Sequence, residues 1–212
     1  MATFEGGILG GFKGKVGAVV GSTWRGLNVM RSKPKKSGKA PSEDQAIQQE
    51  RFKLMSGFLS PISSILDSYY GNSASEKSRF NLAMSYHLKE AIAGISPNLE
   101  IDFERVDLTK GKGLKTKNAT VLANASGIKF SWLNNAAVNS SDADDLALVM
   151  VFNPDKNEFI TEKTAVTRAD LTYTLDVPEE FAGDEVHCWI SFVNPKGKSA
   201  NNSTYLNTVT LP

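Results

Sequence analysis

The feature that most constrains this chain is a change of hydrophobic period at Pro97. Between residues 43 and 93 apolar side chains recur at helical spacing, whereas Leu99, Ile101 and Phe103 begin an alternating pattern that continues to the C-terminus. Turns rich in Asn, Gly, Pro and Asp separate eight candidate strands, near 98–107, 118–124, 127–133, 146–152, 159–166, 170–177, 184–193 and 203–211. Short strands at this spacing are typical of an antiparallel β-sandwich.

Two of these strands alternate as the inner face of a sandwich does: Ile128, Phe130 and Trp132 in one, and Val186, Cys188, Ile190 and Phe192 in the other. A buried tryptophan facing such a strand predicts a core like that of immunoglobulin or fibronectin type III domains. Cys188 is the only cysteine, so an internal disulfide is excluded. We expect its thiol to behave as a small buried hydrophobe.

The segment before Pro97 predicts a helical hairpin. Ser42 to Gln45 fits a capping box that opens a first helix, and Pro61 should break this helix because proline removes a backbone donor and clashes with the preceding turn. A second helix is predicted from about 75 to 93, with Gly94 as its C′ residue. The Gly71-Asn72 junction favours a turn between the two helices.

Glycine dominates the N-terminal segment, where eight of the seventeen glycines fall within the first 26 residues. Such a backbone disfavours a regular helix. Residues 16–24 and 27–32 favour β structure, and Arg25-Gly26 between them predicts a hairpin turn. The predicted fold is therefore α+β, with a Gly-rich basic arm and β-hairpin (1–40), a helical hairpin (41–96) and an antiparallel immunoglobulin- or fibronectin type III-like sandwich (97–212).

The stretch from Gly14 to Gly26 reads GKVGAVVGSTWRG, and Met30-Arg31-Ser32-Lys33-Pro34 follows it. This pattern, GKxGxVVGSxWRG, resembles the opening of an uncharacterised bacterial family known mainly from Bacteroidetes-type genomes. Residues 48–52, 81–86 and 192–205 are also similar, so the resemblance covers most of the chain. It implies no activity, cofactor or catalytic residue.

Charge is the main clue to a binding site. Residues 1–40 hold eight Lys/Arg and one acidic residue, a net charge of +7, and the remainder holds sixteen Lys/Arg and twenty-two Asp/Glu, a net charge of −6. Trp24 and Arg25 stand at the predicted hairpin tip, and tryptophan and arginine are enriched among interface anchors. The candidate binding residues are Trp24, Arg25, Lys13, Lys15, Arg31, Lys35 and Lys36.

The basic arm has three interpretations. It is a solvated charge run, it contacts nucleic-acid phosphates, or it attaches to the acidic remainder of another subunit. The aromatic residues Phe12 and Trp24 are too few and too scattered to indicate a platform for single-stranded nucleic acid. Trp24 itself either anchors a partner or packs the hairpin against the helices.

The motifs of common enzymes are missing from the sequence. Gly10 to Val16 lacks the spacing of a phosphate-binding loop, because Leu9 stands where glycine is required and Val16 where Ser/Thr is required. The only histidines are His87 and His187, and adjacent strand residues such as His187 and Cys188 point to opposite faces, so they cannot form a nucleophile–base pair. We therefore expect a non-enzymatic protein without a catalytic residue.

Metal ligands are equally sparse, since one cysteine and two distant histidines do not make a zinc site. The acidic run from Ser140 to Asp145 lacks the glycine and distal glutamate of a calcium loop, and is interpreted as a solvated turn. We expect no cofactor, no metal and no small-molecule site.

The N-terminus has no basic and apolar leader, and no stretch approaches the roughly 18 apolar residues of a membrane span. These features indicate a cytoplasmic protein or part of an assembled particle. The sequence thus predicts a structural or binding module that self-assembles through its N-terminal segment, with a nucleic-acid-associated protein as the alternative.

Overall fold

The computed structural model describes residues 3–4, 11–24, 26–35, 38–72, 77–197 and 199–212. The chain forms two compact units, Met1–Ser42 and Glu43–Pro212. The first unit is an antiparallel sheet with the order β1-β2-β3-β4, in which β1 is Thr3–Phe4, β2 Phe12–Val16, β3 Val19–Trp24 and β4 Leu27–Ser32.

The predicted hairpin is confirmed in β3 and β4, where Trp24 lies opposite Leu27 across the turn. Its first strand begins later than predicted, because Gly17 adopts a left-handed φ of 58° in a turn that separates β2 from β3. Val16 consequently ends β2 and pairs with Val19. β3 therefore pairs with β2 as well as with β4, where the sequence predicts only a two-stranded hairpin.

The second unit begins with three helices: α1 is Glu43–Leu59, α2 Ser63–Tyr69 and α3 Arg79–Glu90. The predicted break at Pro61 is confirmed, since α1 ends two residues before it and α2 begins two residues after it. The side chain of Ser78 caps α3 by accepting a hydrogen bond from the backbone N–H of Asn81 at 3.2 Å.

The prediction of a helix up to residue 93 with Gly94 as its C′ residue is wrong. The helix ends at Glu90, and Ile92–Ile95 (β5) pairs with Asn98–Ile101 (β6), with Gly94 at a φ of 83° inside this hairpin. Pairing with β6 supplies the hydrogen bonds that a longer helix would otherwise make, and so overrides the helical spacing of Ile92. The strand predicted at 98–107 accordingly ends at Ile101, before a 3₁₀ turn at Phe103–Arg105.

Two further antiparallel sheets complete the unit, and the α+β class predicted from the sequence is confirmed. One has the order β10-β9-β12-β13 and the other β11-β8-β7. Their strands are β7 Thr120–Asn124, β8 Gly127–Ser131, β9 Leu146–Asn153, β10 Glu158–Thr167, β11 Thr172–Leu175, β12 Glu185–Val193 and β13 Thr204–Thr210. Each of these strands lies within two residues of its predicted bounds.

The four-stranded sheet is buried on both faces. On one face, Ala147, Val149 and Val151 of β9 belong to an apolar cluster shared with the three-stranded sheet. On the other, alternate residues such as Leu148 and Met150 belong to a cluster shared with the helices. The order of layers is thus helices, four-stranded sheet and three-stranded sheet, and the helices share one of the two apolar clusters with the four-stranded sheet.

The predicted buried tryptophan is confirmed. Trp132 is 5% exposed, and its ring meets that of Phe192 edge-on at a centroid distance of 5.5 Å. Its indole N–H donates to the carbonyl oxygen of Arg168 at 2.9 Å. The indole is therefore satisfied as well as packed, which is what a buried tryptophan requires.

Arg168 is fully buried and holds three loops together. Its guanidinium donates to the carbonyl oxygens of Asp142 (3.2 Å) and Leu114 (2.9 Å) and to Oδ1 of Asn135 (3.1 Å), and it lies 3.9 Å from the centroid of the Phe192 ring. The acidic run is consequently not a wholly solvated turn, because Asp145 is only 5% exposed and interacts electrostatically with Arg168. A buried cation needs this nearby negative charge.

Asn201, also fully buried, fastens the C-terminal loop to the sheet. Its Oδ1 accepts hydrogen bonds from the Ser191 hydroxyl and the Phe192 backbone N–H, both at 2.8 Å. Its Nδ2 donates to the carbonyl oxygen of Leu114 and to Oγ1 of Thr116, both at 3.0 Å. With every polar atom satisfied, this amide fixes the loops around residues 114 and 201 against each other.

Candidate functional site

Four of the candidate binding residues share one face of the N-terminal sheet. Lys15 lies opposite Val20, Val20 lies opposite Arg31, and Trp24 lies opposite Leu27. Because side chains alternate along each strand, Lys13 and Lys15 of β2, Trp24 of β3 and Arg31 of β4 project to the same side. We call these four residues the basic face.

Phe12 and Trp24 lie on opposite faces of the N-terminal sheet. A Cβ placed on Gly21 would come within 2.7 Å of the Phe12 ring, so the ring covers the backbone of Gly21. Gly21 and Trp24 are three residues apart on β3 and therefore face opposite sides. The basic face thus combines cations with a single tryptophan, which is 48% exposed.

Strand β4 is the open edge of this sheet, since it ends the strand order and all six of its residues are exposed. The backbone N–H of Lys33 donates to the carbonyl oxygen of Ala18 at 2.8 Å, which makes these two a hydrogen-bonded pair. Hydrogen-bonded and non-hydrogen-bonded pairs alternate in antiparallel sheets. The backbone N–H of Met30, three residues from Lys33, therefore points away from β3.

Three candidate residues remain: Lys35, Arg25 and Lys36. Lys35 follows β4 in an exposed segment without regular structure. Arg25 and Lys36 lie outside the residues that the structure describes. The structure thus brings Lys13, Lys15, Trp24 and Arg31 together and leaves Lys35 apart from them.

The histidines and the cysteine occupy structural positions. His87 is buried, its Nδ1–H donates to the carbonyl oxygen of Ala83 at 2.8 Å, and burial lowers its pKa to about 4. His187 stacks on Phe103 at 3.7 Å between ring centroids. The Cys188 side chain lies in the opposite apolar cluster, where burial raises the thiol pKa to about 12. The prediction that His187 and Cys188 face opposite sides is confirmed.

A cleft of about 730 Å³ opens at another place in the second unit, where four segments meet. It is lined by residues 70–72, the part of α3 from residue 79 to residue 86, residues 110–112 and residues 199–202. The backbone N–H of Gly71 donates to the carbonyl oxygen of Lys110 at 2.7 Å, and the backbone N–H of Gly111 donates to Oδ1 of Asn202 at 3.1 Å. Hydrogen bonds thus join the segments that form its walls.

Three basic side chains line the cleft, those of Arg79, Lys110 and Lys112. Lys110 Nζ lies 4.2 Å from the centroid of the Tyr86 ring, a cation–π contact. Tyr86 also forms a hydrogen bond with the carboxyl group of Asp107, and desolvation raises the pKa of both groups. Among the described residues that line the cleft, none is acidic.

Sequence reasoning missed this cleft because its walls come from segments that lie far apart in the chain, from Tyr70 to Asn202. One local signal was present in the Lys110-Gly111-Lys112-Gly113 run. A Cβ at Gly111 would lie 2.0 Å from the carbonyl oxygen of Ala200, so glycine is required where this loop crosses the C-terminal one.

No group of three His, Cys, Asp or Glu side chains in the part of the chain that the structure describes is placed to hold a metal ion. No helix among the described residues has the length and apolar character needed to cross a membrane.

Comparison with known proteins places the chain in a family without assigning it an activity. No curated protein matches it. A model described as a family of unknown function, DUF6266, matches residues 11–207. The resemblance to an uncharacterised family is thereby confirmed, whereas the bacterial origin remains a prediction. Since the match extends over most of the 212 residues and includes both units, the chain belongs to this family of unknown function.

Proposed function

We propose that this protein is a non-enzymatic structural module that self-associates through its N-terminal sheet, with β4 as the pairing edge. The observation that carries the proposal is the open edge itself. Leu27 and Met30 are 63% and 68% exposed on a strand whose outward backbone groups have no neighbouring strand among the described residues. Exposed apolar edges are templates for adding a strand from another chain.

Charge supports a second copy of this chain as the occupant. The N-terminal 40 residues carry +7 and the remainder carries −6, so the arm of one copy is complementary to the body of another. Strand β10 ends the four-stranded sheet and carries the exposed side chains of Glu158 and Glu162. An arm-to-body contact of this type is heterologous, and it extends into rings or filaments instead of closing as a dimer.

Replacement of Met30 tests the pairing edge. Met30→Pro removes an N–H that points away from β3, so it should block addition of a strand while leaving the β3–β4 hydrogen bonds in place. Met30→Leu keeps both the N–H and the apolar side chain and is the matched control. In sedimentation velocity at rising micromolar concentration, the parent chain and Met30→Leu should form larger species, and Met30→Pro should remain monomeric.

A parent chain that stays monomeric throughout would refute self-association, and equal association of both Met30 variants would refute pairing through β4.

Trp24→Ala adds an independent measurement. If Trp24 is an interface anchor, Trp24→Ala should abolish association and should change the melting temperature little. A residue that packs a core would instead cost about 3 to 5 kcal/mol of unfolding free energy when truncated.

The clustering of Lys13, Lys15 and Arg31 on the basic face favours a second candidate, a nucleic-acid-associated protein. Three phosphate contacts would make the logarithm of affinity fall with the logarithm of salt concentration with a slope of about −3. Filter binding of duplex DNA should show this slope, and Lys13→Gln, Lys15→Gln and Arg31→Gln should each reduce it by about 1. A salt-independent response would remove this candidate.

A further inference from the structure

The cleft in the second unit has the dimensions of a ligand site. Its volume of about 730 Å³ lies within the range of about 300–1,000 Å³ that small-molecule pockets occupy. Its walls do not depend on side-chain contacts alone. The backbone N–H of Lys110 donates to the carbonyl oxygen of Tyr69 at 3.1 Å, and that of Gly113 donates to the carbonyl oxygen of Ala200 at 3.2 Å. The cleft is therefore held open by backbone hydrogen bonds between its segments.

The charges around the cleft favour an anion. Arg79, Lys110 and Lys112 line it from two segments, and neither lysine forms an ion pair with a carboxylate in the described part of the chain. The first turn of α3, at Arg79, also lies at the cleft, and the positive end of a helix dipole attracts negative charge. The nearby acid, Asp107, interacts with the Tyr86 hydroxyl and with Lys110 and so offsets part of this charge, and Arg79 and Lys112 contribute the remaining positive charge.

The cleft also offers apolar and aromatic surface. Leu82 and the partly buried ring of Tyr86 line it beside the cations. Tyr70 lines it as well, is 2% exposed, and has a hydroxyl without a hydrogen-bond partner among the described residues. An aromatic group could stack on Tyr86 while a charged group meets Lys110, since these two side chains are already in contact.

From this combination of volume, cations and aromatic surface, we propose that the cleft is a binding site for a small organic phosphate with an apolar or aromatic body. Lys110, Lys112 and Arg79 contact the phosphate, and Tyr86 and Leu82 contact the body. The site lies wholly in the unit Glu43–Pro212, so its occupancy does not require the N-terminal edge.

Titration of the full-length protein with phenyl phosphate, followed by ¹H–¹⁵N NMR, tests the site. We expect saturable shifts of the amide signals of Gly71, Leu82 and Gly111, and binding at least tenfold tighter than that of neutral benzyl alcohol, because the phosphate group makes charge-assisted hydrogen bonds that a neutral hydroxyl cannot make. Inorganic phosphate and benzoate are two further comparison ligands. Inorganic phosphate lacks the aromatic body and benzoate lacks the phosphate group, so both should bind more weakly than phenyl phosphate.

Variants connect binding to the cations. Lys110→Met with Lys112→Met should weaken phenyl phosphate binding by about tenfold or more, and Lys110→Arg with Lys112→Arg should restore it. Lys129→Met with Lys163→Met removes two exposed lysines elsewhere and causes the same change of net charge, so it should leave affinity unchanged. Melting curves of each variant establish that the folded protein is being compared.

Five outcomes would each overturn the proposal or a part of it. Shifts absent from the cleft would remove the site, and equal binding by benzyl alcohol would remove the role of charge. Equal binding by inorganic phosphate would reduce the site to one for a simple ion, and equal binding by benzoate would remove the preference for phosphate. Equal loss in the Lys129/Lys163 variant would show a nonspecific effect of net charge.

Discussion

Arg168 and His87 represent two ways of burying a polar side chain in this fold. Arg168 keeps its charge because three oxygen acceptors, the Phe192 ring and the nearby Asp145 compensate for lost water. His87 is buried with one hydrogen bond, from Nδ1, and its Nε2 has no partner among the described residues. Burial therefore favours its neutral form and lowers its pKa, and Lys110 acts in the same direction.

This difference predicts a dependence of stability on pH. His87 has a pKa of about 4 in the folded protein, against an ordinary value of 6.5, so protons bind first to the unfolded chain as pH falls. The stabilisation is complete above about pH 6.5 and is lost progressively down to about pH 4, by an amount on the order of 3 kcal/mol. Urea denaturation from pH 4 to 7.5 should show a smaller pH dependence for His87→Gln than for the parent chain.

The glutamine side chain in this variant is polar and cannot titrate, which removes the charge. His187→Gln is the control, because His187 is less buried than His87. An unchanged pH dependence in His87→Gln would show that His87 is not the group responsible.

At the scale of single elements, glycine has opposite effects in α1 and in the loop at residue 111. Gly57 lies inside α1, and a Cβ there would meet nothing within 4 Å. Gly111 lies where two loops cross, and a Cβ there would lie 2.0 Å from a backbone oxygen. Gly57 thus weakens α1, whereas Gly111 permits the close crossing of the two loops that line the cleft.

The two glycines therefore make a matched pair of substitutions. Gly57→Ala should raise the unfolding free energy by about 1 kcal/mol, because alanine has the higher helix propensity. Gly111→Ala should lower it by about 1–3 kcal/mol, because the backbone of the C-terminal loop has to shift. Gly197→Ala, also in open space, should change little. Chemical denaturation measures all three, and a neutral Gly111→Ala would contradict the close crossing of the loops.

Across the whole molecule, one sheet organises the second unit. Its helix-facing side contributes Leu148, Met150, Phe152 and Trp189 to one apolar cluster, and its other side contributes Val149, Val151, Cys188 and Ile190 to the second. Among the described residues, every buried member of both clusters lies between residues 55 and 211. The helices therefore share the first cluster with the four-stranded sheet, whereas the second cluster lies between the two sheets.

Two truncations follow from this arrangement. A chain of residues 41–212 should unfold cooperatively within about 5 °C of the full-length melting temperature, since it retains both clusters. A chain of residues 97–212 should fail to fold or should aggregate, because it exposes a large apolar face that the helices cover. Circular dichroism and calorimetry provide the measurement. Independent folding of residues 97–212 would show that the helices are not needed to cover the four-stranded sheet.

Local patterns were sufficient to predict most elements. Alternation at Ile128, Phe130 and Trp132 identifies both a strand and its inner face, because side chains two residues apart project to the same side whatever the strand packs against. Pro61 breaks the helix because its effect depends only on the four preceding residues. The Trp24–Leu27 hairpin follows from a two-residue turn between β-favouring segments.

Long-range contacts decided the rest. The sequence alone determined the elements, the asymmetry of charge and the absence of a disulfide, because these depend on neighbouring residues or on composition. The tertiary structure decided that the four-stranded sheet is covered on both faces, that Ile92 joins a hairpin, and that Tyr70, Arg79, Lys110 and Asn202 surround one cleft. Such residues come together only when the chain packs its apolar faces. The local hydrophobic pattern does not indicate which distant segment covers a given face.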